Sequence, residues 1–290
     1  MIRPASFAYN TQTAVNNSFQ RQAFTNVQAK AWDEFDAFSA KLVSNGVNVI
    51  VLNDTENPHT PDAIFPNNWI SFHEGTAVLY PMFALNRRDE RNPHVIDSLI
   101  KRFTITAVCD LTYLEEEGVF LEGTGSMVLD RENKIAYACL SPRTNKKALD
   151  IFCRELGYEA IVFYAFDALG NKIYHTNVMM CVADMYAIIC LESITDNITR
   201  NSIIKSLQKS KKLIIDISLQ QVNSFAGNML QVQNEKGKKF LIMSTQAYKC
   251  LTVSQKLTIQ KYNAIIHSNL ATIEANGGGS ARCMMAEIFI

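Results

Sequence analysis

The sequence predicts an α/β fold made of five copies of a strand–turn–strand–helix unit about 55 residues long, and three observations lead to it. Five apolar, β-branched runs recur at nearly constant spacing. An amphipathic helical stretch lies ahead of each, and a small, polar, turn-rich segment followed by a second strand comes after it.

The five runs are 47–52 (VNVIVL), 105–111 (ITAVCDL), 160–166 (AIVFYAF), 213–218 (LIIDIS) and 269–274 (NLATIE), each starting about one repeat length after the last. The helical stretches are 29–43, 93–101 (the shortest), 146–156, 196–209 and 254–266, with apolar residues at three- and four-residue spacing. The turn segments are 66–72 (PNNWISF), 121–129 (LEGTGSMVL), 175–182 (HTNVMMCV), 226–232 (AGNMLQV) and 277–290 (GGGSARCMMAEIFI). Repeats of this kind close into a ring that removes exposed strand edges, and equivalent positions then converge on one axis. No Pro/Ser-rich linker divides the chain, so residues 1–290 are expected to form a single catalytic domain.

Composition narrows the function. Of 290 residues, 48% are hydrophobic and 19% charged, enough apolar material for a large core. Twenty-eight basic residues balance 28 acidic ones without a long basic run, which argues against a nucleic-acid or anionic-membrane surface. The start, MIRPASFAYN, lacks the charged and apolar regions of a signal peptide, and the most apolar stretch, 178–191, is too short to span a bilayer and is broken by Asp184. Seven cysteines without a CxxC pair suit reduced thiols and a cytoplasmic protein rather than a disulfide scaffold or a zinc ribbon. No HExxH or paired Cys/His spacing is present, so no metal is expected.

Aligning the turn segments brings Asn68, Glu122, His175, Asn228 and Cys283 to equivalent places, each one repeat length from the last. A cysteine, a histidine and a carboxylate would then face one another across one pore. That is what a thiol nucleophile needs: a base beside it and a third group to orient the base. Cys283 follows Gly277-Gly278-Gly279-Ser280, where small residues permit close approach of a ligand, whereas Cys109, Cys139, Cys181 and Cys190 read as buried apolar residues. The glycines carry no GK[ST] or GxGxxG phosphate signature. His175 opens an apolar strand and, taken alone, would read as a structural histidine; the register makes it a candidate acid/base, which His59, His73, His94 and His267 are not. Glu122 is either a site residue or a turn cap. Asn68 and Asn177 are either turn formers or amide ligands for a substrate head group. The segment 7–17 is open between a lid over the pore and an N-terminal strand against the ring.

These residues carry a resemblance that spans essentially the whole chain. PDAIFPNNW, NRRDE (86–90), LEGTG, SPRTN (141–145), YHTN and GGGSARCM resemble, in order, six motifs of the guanidine-modifying superfamily of arginine deiminases, dimethylarginine dimethylaminohydrolases and amidinotransferases. The start RPASFAYNTQTAVNN, FPNNW and GGGSARCMMAEI look closest to its citrulline-utilisation (CtlX-type) branch. The resemblance implies a five-bladed α/β propeller, the pentein fold, and a hydrolase of non-peptide C–N bonds that needs no cofactor. It implies Cys283 as nucleophile, His175 as general acid/base beside Glu122, Arg87 and Arg143 gripping an α-carboxylate, and Asp62 meeting the α-ammonium.

Two departures shape the expected substrate. Deiminases of the superfamily place carboxylates where this chain has Asn68 and Asn177, and a neutral amide pair suits a ureido group better than a guanidinium cation. Gly125 replaces the acid that closes the family's E-G-G-D segment. The expectation is therefore a small-molecule amino-acid substrate, citrulline ahead of arginine or methylated arginine. An amidinotransferase and a non-enzymatic binding protein on the same ring, as in the ribosome anti-association factor, are the alternatives. Retention of the cysteine, histidine, glutamate and both arginines argues against the last. A homodimer is left open.

Overall fold

The computed structural model describes residues 1–289; Ile290, the last residue of the terminal turn segment, lies outside the described residues. The chain starts with a two-residue strand, β1 (Ile2–Arg3), which pairs in parallel with β2 (Leu52–Asn53) across the helix Val27–Ser44. Four three-stranded sheets follow, all with one topology: β3 (Ile70–His73), β4 (Thr76–Leu79) and β5 (Ala107–Asp110); β6 (Val128–Asp130), β7 (Ile135–Cys139) and β8 (Glu159–Phe163); β9 (Met180–Val182), β10 (Tyr186–Ile189) and β11 (Leu213–Asp216); β12 (Leu230–Gln233), β13 (Lys239–Ser244) and β14 (Ala264–Ser268). In each, a hairpin supplies the first two strands, and a helical crossover returns the third parallel to the middle one.

Local chemistry sets the crossover helices. Asn92, Asn145 and Asp196 each accept a backbone N–H at a helix start, and Thr252 forms a reciprocal capping box with Gln255. The helix Lys146–Leu156 then buries Ala148, Leu149, Phe152 and Cys153, one stripe of its surface, and stops at Gly157 in the left-handed region. At roughly 1.5–3 kcal/mol for each large apolar side chain removed from water, that stripe rather than helix propensity holds the crossover down.

The structure departs from the sequence expectations in four places. The middle strands β4, β7, β10 and β13 are additional to them, so the repeat is a turn, a hairpin, a helix and a parallel strand. The apolar stretch 178–191 is a hairpin folded back between β9 and β10, not one run. The run 47–52 is extended but enters a strand only at Leu52, because its sole partner is β1; Val51 is exposed. The fifth unit is shifted. Its strand is β14, which overlaps the end of the expected helix 254–266, and that helix ends at Gln260. The expected strand 269–274 runs into the buried helix Ala271–Gly277, for a short apolar run does not distinguish strand from buried helix. No strand follows the terminal turn among the described residues.

What makes residues 271–277 helical is a tertiary cap. Glu34, on the helix Val27–Ser44, accepts the backbone N–H groups of Thr272 (2.8 and 3.1 Å) and Ile273 (3.0 Å), donors that a helix start leaves unpaired. Glu34→Ala is expected to lower unfolding free energy by about 1–2 kcal/mol, the usual value of a lost cap, measured by urea titration. An unchanged midpoint and slope would mean the cap contributes nothing.

Candidate active site

Each sheet is entered through a tight turn, and these turns carry the chemistry. Asn68 ends the 3-10 turn Pro66–Asn68, Glu122 precedes the helical turn Gly123–Ser126, and His175 precedes the 3-10 turn Thr176–Val178. Asn228 lies just ahead of β12, and Cys283 sits in the 3-10 turn Ala281–Met284. All five side chains are buried, and the expected convergence of cysteine, histidine and carboxylate is present. A nearly closed cavity of about 10 Å³ is lined by Asp62, Asn68, Arg87, Arg143, His175 and Cys283, with Thr13, Asn17 and Tyr174 at its wall.

Glu122 is the hub. Its Oε2 lies 2.8 Å from His175 Nε2, 3.5 Å from Arg143 Nη1 and 4.0 Å from Arg87 Nη1, and its Oε1 accepts the Phe83 N–H at 3.1 Å. Burial alone would push this carboxyl up; Arg143, the His175 hydrogen bond and Arg87 outweigh it and hold the pKa at about 2. His175 responds the opposite way: burial brings it down to about 4 against the pull of Glu122, so its imidazole is neutral at pH 7. With Nε2–H donated to the carboxylate, Nδ1 is the free lone pair. Tyr174 packs on the ring at 4.6 Å and fastens itself through its hydroxyl to Gly278 O at 2.6 Å.

Gly125 explains the missing acid. A Cβ at that position would lie 2.4 Å from Asn68 Nδ2 and 2.7 Å from His175 Nδ1, so any side chain there would drive the amide and the imidazole apart.

The arginines differ from expectation in one respect. Arg87 donates Nε and Nη2 to both oxygens of Glu90 (2.8 and 2.9 Å) and Nη1 to Asn68 Oδ1 (2.8 Å). Its two-pronged edge is filled, so it is not available to grip a carboxylate in the bidentate way the resemblance implies. Arg143 lies over Tyr174 at 4.9 Å, and its Nε–Nη2 edge is held by Asn16 Oδ1 and the Thr13 carbonyl, both from the N-terminal segment. That segment contains the helical turn Thr11–Ala14 rather than a strand, and Thr13 and Asn17 face the cavity. Asp62 Oδ2 accepts from Asn10 (2.8 Å) and Thr13 (3.0 Å), and burial pushes its carboxyl up against the pull of Arg87.

The Cys283 sulfur accepts from Asn228 Nδ2 at 3.2 Å and from Asn177 Nδ2 at 3.5 Å. Three buried polar atoms of these residues have no partner: Asn68 Nδ2, Asn177 Oδ1 and Asp62 Oδ1. Thr13 carries no sequence signal as a contact, whereas Glu90 and Tyr174 stand inside the NRRDE and YHTN motifs and the repeat register already places Asn228 beside the others. Among the described residues no group of three His, Cys, Asp or Glu is placed to hold a metal ion, and no helix is long and apolar enough to cross a membrane.

Over residues 3–290 the chain matches the family described as N,N dimethylarginine dimethylhydrolase, eukaryotic. No curated protein sequence matches it. Among solved structures it is similar to apo ArgZ, an arginine dihydrolase from the ornithine–ammonia cycle in cyanobacteria, at TM-score 0.76 and 17% identity, over 100% of this chain and 40% of that one. The N-terminal domain of ArgZ, as a cysteine-to-serine variant bound to substrate, matches at TM-score 0.76 and 16% identity over 100% of this chain and 98% of that one. An adduct of a dimethylarginine dimethylaminohydrolase variant with S-methyl-L-thiocitrulline matches at TM-score 0.65 and 15% identity, over 98% and 96%. The chain thus spans 40% of full-length ArgZ and nearly all of its N-terminal domain. At these identities the likeness to the solved structures is one of fold.

The neutral state of His175 has a pH signature. Its folded pKa of about 4 lies below the ordinary 6.5, so the unfolded chain binds the extra proton between those values. The His175 contribution to stability is complete above pH 6.5 and is lost as pH falls towards 4. His73, also brought down by burial, to about 3, acts in an overlapping window, so the comparison must be differential. The stability of wild type minus that of His175→Gln is expected to rise from pH 4 to 6.5 and stay level above; a flat difference would overturn the neutral assignment.

Proposed function

Because the chain belongs to the N,N dimethylarginine dimethylhydrolase family, whose members cleave non-peptide C–N bonds, we propose that it is a cysteine-dependent hydrolase of a ureido amino acid, with citrulline as the fitting substrate. One observation carries the choice of substrate. The unpartnered atoms are one amide N–H donor (Asn68) and one carboxylate oxygen (Asp62) of residues lining the cavity, and one amide carbonyl acceptor (Asn177), a residue that touches Cys283 and lines a second pocket. A ureido group offers a carbonyl to the donor and N–H groups to the acceptor, while an α-ammonium suits the carboxylate. A guanidinium is a cation with donors only and would leave the Asn68 N–H facing another donor. Of the two acids beside the site, Asp62 is matched to the α-ammonium and Glu122 is already committed to His175 and two arginines. Burying the cation without its own counter-ion costs several kcal/mol, on the order of a broken buried pair. The start RPASFAYNTQTAVNN, FPNNW and GGGSARCMMAEI, which look closest to the citrulline-utilisation branch, support the same side.

In the reaction, neutral His175 takes the Cys283 proton and the thiolate attacks the ureido carbon. The bond from that carbon to the leaving nitrogen breaks, and the nitrogen departs with the proton His175 holds. His175 then takes a proton from water, which attacks the S-carbamoyl carbon; the C–S bond breaks and carbamate leaves, to decompose into carbon dioxide and ammonia. Glu122 keeps the imidazole oriented and balances its transient charge. Arg143 would receive the α-carboxylate on the edge now held by Asn16, with Arg87 holding Asn68 in place. The segment around Thr13 and Asn16 must move for this exchange, which fits a lid. Closure of the five sheets into one propeller, a single catalytic domain, would bring the five turns to a common axis as the site requires.

Incubation of the purified protein with citrulline is expected to yield ornithine and ammonia, with no turnover by Cys283→Ser, read by mass spectrometry and an ammonia assay. Asn68→Asp removes the donor meant for the ureido oxygen and is expected to cut kcat/KM for citrulline by about 100-fold, the scale of a buried polar mismatch. Preferential turnover of arginine or dimethylarginine by the wild type would overturn the ureido assignment.

A further inference from the structure

Asn228 has no place in the reaction steps above, yet its amide lies closer to the reacting sulfur than that of Asn177. Its surroundings fix its orientation. Oδ1 accepts the backbone N–H of Arg282 at 3.0 Å, in the turn that carries Cys283. Nδ2 donates to the backbone carbonyl of Asn177 at 3.2 Å, in the turn after His175, and to Cys283 Sγ at 3.2 Å. Flipping the carboxamide end for end would set its NH₂ against the Arg282 N–H and its oxygen against the Asn177 carbonyl. Both contacts would be repulsive, so the backbone on either side forces an N–H towards the sulfur. Asn228 is buried, and no solvent competes for that donor.

The turn is built for this contact. The Asn228 N–H donates to Phe225 O at 2.9 Å, which tightens the turn ahead of β12. Next to it, a Cβ on Gly227 would lie 2.2 Å from the Val178 carbonyl oxygen, so only glycine lets this turn press onto the one that follows His175. Among the described residues no cation hydrogen-bonds to the sulfur. The imidazole of His175 is neutral, Arg87 is spent on Glu90 and Asn68, and Arg143 on Asn16, Thr13 and Glu122. A thiolate in such a place depends on neutral donors, and two amides converge on it.

We propose that Asn228 is a catalytic residue whose carboxamide N–H, with that of Asn177, stabilises the Cys283 thiolate in place of a cationic partner. The inference deepens the cysteine-hydrolase reading and rests on Cys283 as its nucleophile. It predicts that the thiolate is supported before any substrate arrives, because every contact involved is made by the protein alone.

The test therefore uses substrate-free alkylation of Cys283 by iodoacetamide, followed by peptide mass spectrometry across a pH series, on the full chain. Asn228→Asp keeps the shape and the bond to Arg282 N–H but sets a carboxylate oxygen against the sulfur; Asn228→Ala removes the donor without adding charge. Both are expected to slow alkylation at neutral pH by at least about tenfold, the scale of one lost charge-assisted hydrogen bond. The alkylation profile should move to higher pH, further for Asp than for Ala, with a matching fall in kcat and folding verified by circular dichroism. An unchanged alkylation profile in a folded variant would overturn the proposal, even if turnover were lost, since Asn228 would then only hold the loop. Because the readout needs no turnover, it stands apart from the hydrolase reading, whose failure would appear as citrulline left intact by a wild type that alkylates normally.

Discussion

The site is organised around one fully buried carboxylate. Glu122 has no water to solvate it, and it remains charged because Arg143, Arg87 and the N–H groups of His175 and Phe83 surround it. These neighbours come from three separate stretches of chain, 83–87, Arg143 and His175. A buried charge with one partner removed is worse than no charge at all, by about 3–5 kcal/mol. Once Glu122 is in place, Arg143 and His175 are tied to it, and Arg87 in turn fixes Asn68. The orientation of the imidazole and of the Asn68 amide both follow from this requirement. His175 is neutral because burial strips its imidazole of water, and the pull of Glu122, a carboxylate shared with two guanidinium groups, does not offset that.

The second constraint is space. The turns meet so closely that Gly125 can carry no side chain, which removes the acid found at the corresponding place in the family motif. The charge count around the cavity thereby falls on the acidic side, and the polar groups left over are amides. Amides recognise a neutral, planar head group by matching donors to acceptors; carboxylates recognise a cation by charge. The proposed preference for a ureido substrate rests on that exchange.

The visibility of the fold in the sequence is uneven, for a reason that concerns burial. The runs ITAVCDL, AIVFYAF and LIIDIS overlap third strands, β5, β8 and β11, which are largely half-buried or exposed. The middle strands β7 and β10 are wholly buried, yet they are four or five residues long and stand a short turn away from the strands before them. In a linear reading such a hairpin merges into one apolar stretch, as 178–191 does. The helix Ala271–Gly277 reads as a strand because its deciding feature, the carboxylate of Glu34 on its first N–H groups, lies more than two hundred residues away in the chain.

The sequence by itself determined the α/β class, the repeat period and the set Asn68, Glu122, His175, Asn228 and Cys283, because a repeated turn leaves its period in the residue types wherever each copy folds alike. It also showed that amides stand where related enzymes carry acids. Tertiary structure decided how each group is used. Whether an arginine is free or filled, which atom of an amide faces the cavity, and whether a histidine is neutral depend on partners from other repeats at hydrogen-bonding distance. Glu90 closes the fork of Arg87, Asn16 takes that of Arg143, and the Arg282 backbone turns Asn228 towards the sulfur. Period and composition do not carry such pairings, since they arise only when separate turns pack against one another and exclude water.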